Sequence, residues 1–241
     1  MERRSGLGQP APLVLFVGAL LATVGNALHP FIDAAASVEE VLGTINEHGS
    51  WELLHLTIAV AVVLLAGGVV LVCRSLQDTA GASWATLASV FAIVGATIFA
   101  VQIGGIDGAV MPELAAALAA ADDPSAVLTT AAALWAFDQA LLGLVVTLYF
   151  GALFLAFGTA LVKAGAFAAW MRWTSVAAGA TGVVIGPLMV LGIADEVTFY
   201  AFRVVALAVT VVAFGLAAQL TRGTAMASEP PATPDRPTAA A

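Results

Sequence analysis

The chain has little of what a water-soluble domain is built on. Of 241 residues only 10% are Asp, Glu, Lys or Arg, and Lys and Arg together number eight. Soluble domains carry about 25% charged residues, so water alone does not solvate this surface. Eight cations against sixteen acids, a formal net charge of −8, provide no basic face for DNA or RNA and exclude nucleic acid as a partner. A single cysteine, Cys73, rules out an internal disulfide and a thiolate metal cluster. No HExxH, Walker loop or hydrolase-like Ser/His/Asp order occurs. With only three histidines and two tyrosines, each such residue carries weight in the search for chemistry.

What is abundant is apolar. Hydrophobic residues make up 61% of the chain and the mean hydropathy is +1.01. Crossing a hydrocarbon core of roughly 30 Å takes about 18 or more apolar residues, and six runs qualify: 11–28, 53–73, 84–106, 141–162, 173–194 and 197–220. Arg3 and Arg4 before the first run resemble a secretory leader, but five further runs favour a retained helix. The expected fold is all-α, a polytopic transmembrane bundle of six helices in three hairpins. A short segment, 1–10, precedes the spanning domain, 11–222. A tail rich in Pro, Ala, Ser and Thr, 223–241, has too little apolar content to fold.

Cations mark the cytoplasmic ends of spans. With the N-terminus inside, Arg3, Arg4, Arg74, Lys163, Arg172, Arg222 and Arg236 all fall on that side, leaving only Arg203, within the sixth run. Both termini are expected to be cytoplasmic in a plasma membrane, with the lipid bilayer as the principal partner and the oligomeric state open. Trp51 and Trp135 should then mark the outer headgroup level, and Trp84, Trp170 and Trp173 the inner one. Outside, residues 31–48 read as an amphipathic helix: Phe31, Ala34, Val38, Val41, Leu42 and Ile45 recur every three or four positions, and Ser37 and Glu40 have capping-box spacing. Residues 113–130 look similar, opening after Pro112 and broken at Asp122, Asp123 and Pro124. Gly182 and Gly186 read as a packing GxxxG, and Gly186-Pro187 as a kink in the fifth span.

Polar residues within spans normally face the bundle interior. Thr23, Asn26 and His29 form a stripe on the first helix, and Glu52 and His55 share a face of the second. Gln102 and Asp107 lie at the outer end of the third, Asp138 and Tyr149 on one line of the fourth, and Tyr200, Arg203 and Thr210 on the sixth. Asn26, His29, Glu52, His55, Gln102, Asp107, Asp138, Tyr200 and Arg203 together suggest a polar pocket open to the outside. Arg203 would pair with Asp138 or Asp107. His29 and His55, expected to face each other with Asp107, offer a possible metal site. The simplest expectation is no cofactor, zinc or haem being the alternatives.

The combination of Leu28-His29-Pro30, Trp51 with His55, Asp107-Gly108, and Lys163-Ala164-Gly165 before the Trp170 to Trp173 region resembles a group of integral membrane proteins common in high-GC actinobacteria. The resemblance covers roughly residues 11–195 and brings no activity with it. It implies that His29, His55 and Asp107 belong to one site or one structural clamp, and it does not extend to Arg203. Three functional classes stay open: a protein that binds a small polar or lipid-headgroup ligand, a membrane enzyme using His and Asp, and a structural or assembly subunit.

Overall fold

The computed structural model describes residues 10–30, 32, 36–193 and 196–227, with side chains described as far as 222. Arg3, Arg4, Phe31, Asp33, Ala34, Asp195, Arg236 and the tail beyond 227 lie outside the described residues. Among the described residues the fold is all helical. The helices are α1 (Pro10–Leu28), α2 (Val38–Glu47), α3 (Trp51–Ser75), α4 (Ala82–Ala100), α5 (Met111–Ala120), α6 (Ser125–Val145), α7 (Leu153–Ala164), α8 (Ala169–Val190) and α9 (Glu196–Ala227). Two stretches are wound as π-helix, Val101–Val110 between α4 and α5 and Val146–Ala152 between α6 and α7.

Six helical runs are long and apolar enough to cross a membrane: Pro10–Leu28, Trp51–Ser75, Ala82–Ala120, Ser125–Ala164, Ala169–Val190 and Glu196–Arg222. Consecutive runs pack antiparallel, so the start of α1 and the finish of α9 share one end of the bundle, here the terminal end. The opposite end is the distal end. Along the α1/α3 pair, positions for a Cβ on Gly18, Gly25 and Gly68 fall against Leu65, Ile58 and Leu15 respectively. Phe16 and Phe214, with ring centroids 5.7 Å apart, join the first helix to the last. The main core runs through all six spans, from Leu15 and Val62 through Phe154 and Phe157 to Leu216.

The third run differs from the sequence reading. The third does not stop near Ile106; its helical winding continues through Pro112 to Ala120. Proline lacks the backbone N–H that an α-helix interior would use, but here it stands in the first turn of α5, directly after the π-helical stretch. The fourth run begins at Ser125 and, at 40 residues, is about 60 Å long at 1.5 Å per residue.

The amphipathic helix expected over residues 31–48 is shorter: α2 covers Val38–Glu47, and the described residues Ile32, Ala36 and Ser37 lie outside it. Ser37 caps α2, its hydroxyl accepting from the Glu40 N–H at 3.3 Å while the Glu40 carboxylate accepts from the Ser37 N–H at 2.7 Å. The apolar face, Val41, Leu42 and Ile45, is buried against Trp51, Ile106, Met111, Ala115 and Ala131. Protein therefore covers this face at the distal end of the bundle.

Gly182 and Gly186 are buried, as their GxxxG spacing implies, in a seam where α8 meets the fourth run. A Cβ at Gly182 would fall 2.7 Å from the Gly151 nitrogen, and Gly158 approaches the Val176 nitrogen in the same way. Backbones touch along this seam because a glycine on at least one side of each contact carries no side chain to hold them apart. Pro187 lies inside α8, whose helix continues to Val190.

Candidate functional site

The polar residues singled out in the sequence divide into two sets. His55, Gln102, Asp107 and Asp138 are buried. Asn26, Glu52, Tyr200 and Arg203 are exposed, and His29 is half-buried between the sets. The stripe on α1 does not lead inward: Thr23 and Asn26 donate to carbonyls of their own helix, Ala19 at 2.8 Å and Ala22 at 2.7 Å. Tyr149 is buried, but its hydroxyl donates to the Val62 carbonyl at 3.1 Å, deeper in the bundle.

At the distal end a chain of contacts links the first four spans. The Gln102 side-chain nitrogen donates to Asp107 Oδ2 at 2.9 Å and to Asp138 Oδ1 and Oδ2 at 2.9 and 3.1 Å. One amide group thus serves two buried carboxylates, while its own oxygen, Gln102 Oε1, is buried with no hydrogen-bond partner. The bond between Gln102 and Asp107 depends on π winding. In an α-helix, residues five apart point about 140° away from each other. The wider i to i+5 turn returns them to one face, and both lie within Val101–Val110.

From Asp107 the network continues to the histidines. Trp51 donates its indole N–H to the Asp107 backbone carbonyl at 2.7 Å. Its ring stacks on His55, centroids 4.3 Å apart and 28° between planes. His29 and His48 also contact the Trp51 ring, at 5.4 and 6.2 Å, so all three histidines gather around one indole. His29 Nε2 and His55 Nε2 are 3.2 Å apart, the facing arrangement expected across the first hairpin. Burial pushes the His29 pKa down, the bond to the Pro30 carbonyl opposes that shift, and electrostatic interaction with Arg203 and His48 adds to it.

Two placements differ from expectation. Asp107 and Asp138 are engaged by Gln102 rather than Arg203. Arg203 is exposed on α9, beside the exposed Tyr200, Val204 and Leu207. Trp51, the first residue of α3, is buried in the network. The Asp107 carboxylate bonds Gln102, and no three His, Cys, Asp or Glu residues among the described residues are grouped to hold a metal ion.

Gly108 fixes how closely the third span approaches α3. A Cβ there would lie 2.9 Å from the His55 Cβ and 3.1 Å from the Ile103 carbonyl oxygen. Neither atom is the free end of a flexible side chain, so Gly108→Ala must separate the two spans. We expect a loss of about 1–3 kcal/mol, read as a lower melting temperature in detergent.

No family model, curated protein or solved structure matches the chain.

Proposed function

We propose that the chain is a multi-pass plasma-membrane protein that binds a small monovalent cation at the distal end, between Asp107 and Asp138. The observation that carries this reading is the shortage of donors around Gln102. Its amide group has two hydrogens, yet three carboxylate oxygens lie within 3.1 Å of its nitrogen and its own oxygen has no partner. Two carboxylates removed from water repel each other, and a proton or a cation between them relieves the repulsion. The occupant is small, because both acids and the amide are enclosed: a proton, an ammonium group or a monovalent metal ion supplies what is missing. We also place the chain with the membrane-protein group that its His29, His55 and Asp107 motifs resemble.

Infrared spectroscopy of the purified protein at neutral pH separates the occupants. A shared proton gives the carbonyl band of a protonated carboxyl, which Asp138→Asn should remove. An ammonium or alkali cation instead raises the melting temperature of the wild type and not of Asp138→Asn. Neither a carboxyl band nor a cation-dependent shift would remove the reading.

The orientation belongs to the same proposal: both termini cytoplasmic, and α2 outside. Glu39 is exposed on α2, whereas the native Cys73 is buried. A Glu39→Cys variant that also carries Cys73→Ser should react with an impermeant thiol reagent on intact cells. Labelling only after permeabilisation would reverse the orientation.

A further inference from the structure

We propose that His29 and His55 form a binding site for a divalent transition-metal ion of the zinc class, held by their two Nε2 atoms. The argument begins on the opposite side of each ring. His29 Nδ1 lies 2.8 Å from the Pro30 carbonyl oxygen, and His55 Nδ1 lies 2.8 Å from the Trp51 carbonyl oxygen. A carbonyl only accepts, so each Nδ1 carries the ring hydrogen. In two neutral imidazoles both Nε2 atoms are then bare acceptors, yet they face each other at 3.2 Å with no hydrogen to share.

A metal ion resolves that opposition. Two bonds of about 2.0–2.1 Å to a tetrahedral zinc place their nitrogens about 3.3 Å apart. The outer half of such a site is present too, since imidazoles that bind metal characteristically donate the other ring N–H to a carbonyl or carboxylate. Both rings are held in place: His55 by its stack on Trp51, whose indole N–H is fixed to Asp107, and His29 by its edge contact with His55, centroids 5.0 Å apart. Half-buried His29, just past the end of α1, leaves the site open on one side. Two protein nitrogens leave the remaining coordination positions to water or to a ligand in solution. This inference uses different residues from the acid pair and does not depend on that pair's occupant.

The test uses full-length protein in detergent, without a histidine tag, stripped with a chelator and titrated with zinc chloride, with cobalt chloride as a chromophoric probe. One ion per chain should bind, and His29→Ala and His55→Ala should each weaken binding at least tenfold. Asp138→Asn should bind as the wild type does, which separates this site from the acid pair. His29 is the less buried ligand, so if His55→Ala fails to fold, His29→Ala decides. Absence of saturable binding at one ion per chain, or unchanged affinity in His29→Ala, would overturn the proposal and leave the two nitrogens joined by a shared proton. Loss of zinc binding in Asp138→Asn would also overturn it, by moving the ion to the carboxylates.

Discussion

Gln102→Leu should lower the stability of the protein in detergent by about 3 kcal/mol, although leucine has a similar size and suits an apolar bundle. The substitution removes the donor shared by Asp107 and Asp138 and leaves two carboxyl groups buried without it. Leaving one buried polar group unsatisfied costs about 1–3 kcal/mol, and more where charge is involved. Loss of the unpartnered Oε1 returns part of that cost. Replacing both members of a polar contact by apolar groups is often nearly neutral, so adding Asp138→Leu to Gln102→Leu should recover part of the lost stability. Thermal melts of the two variants check this. A Gln102→Leu protein that melts with the wild type would show that the network contributes no stability.

Gly179→Leu should have the larger effect and prevent α8 from docking. A Cβ at Gly179 would fall on the Leu155 backbone nitrogen and Cα and on the Phe154 carbonyl carbon, and backbone cannot swing aside as a side chain can. Overpacking a core typically costs 1–3 kcal/mol, occasionally more; a backbone collision inside a seam of glycines belongs at or above about 3 kcal/mol. The comparison is Gly43→Ala, on the exposed face of α2, where a Cβ would meet nothing within 4 Å. That change should stabilise by up to about 1 kcal/mol, because alanine is the better helix former. Yield of folded protein and melting temperature should therefore move in opposite directions in the two variants. Wild-type behaviour in Gly179→Leu would mean that α8 sits elsewhere.

The spans were legible because a membrane-crossing helix announces itself by unbroken length, and Ser37 with Glu40 announced the start of α2 in the same local way. His29 and His55 could be brought together by counting residues along one hairpin. The bond between Gln102 and Asp107 was not legible: α-helical periodicity sets them on different faces, and the π winding that reunites them is a choice made by packing. Its one sequence trace is Gly104, Gly105 and Gly108 within ten residues, which weakens the case for a regular helix. Arg203 misled for a related reason. Its depth in the sixth span was readable, but the face of α9 turned toward the bundle depends on neighbours that periodicity does not name.

The height of the network within the bundle has an electrical consequence. Gln102 and His55 each stand twenty residues from the terminal end of their helices, about 30 Å by helical rise, close to the thickness of the hydrocarbon core. A cation arriving from the distal side would cross almost none of the transmembrane voltage, whereas one arriving from the terminal side would cross nearly all of it, at about 2.3 kcal/mol per charge for each 100 mV. Occupancy from the distal side should thus follow the composition of the medium there and be nearly indifferent to the membrane potential.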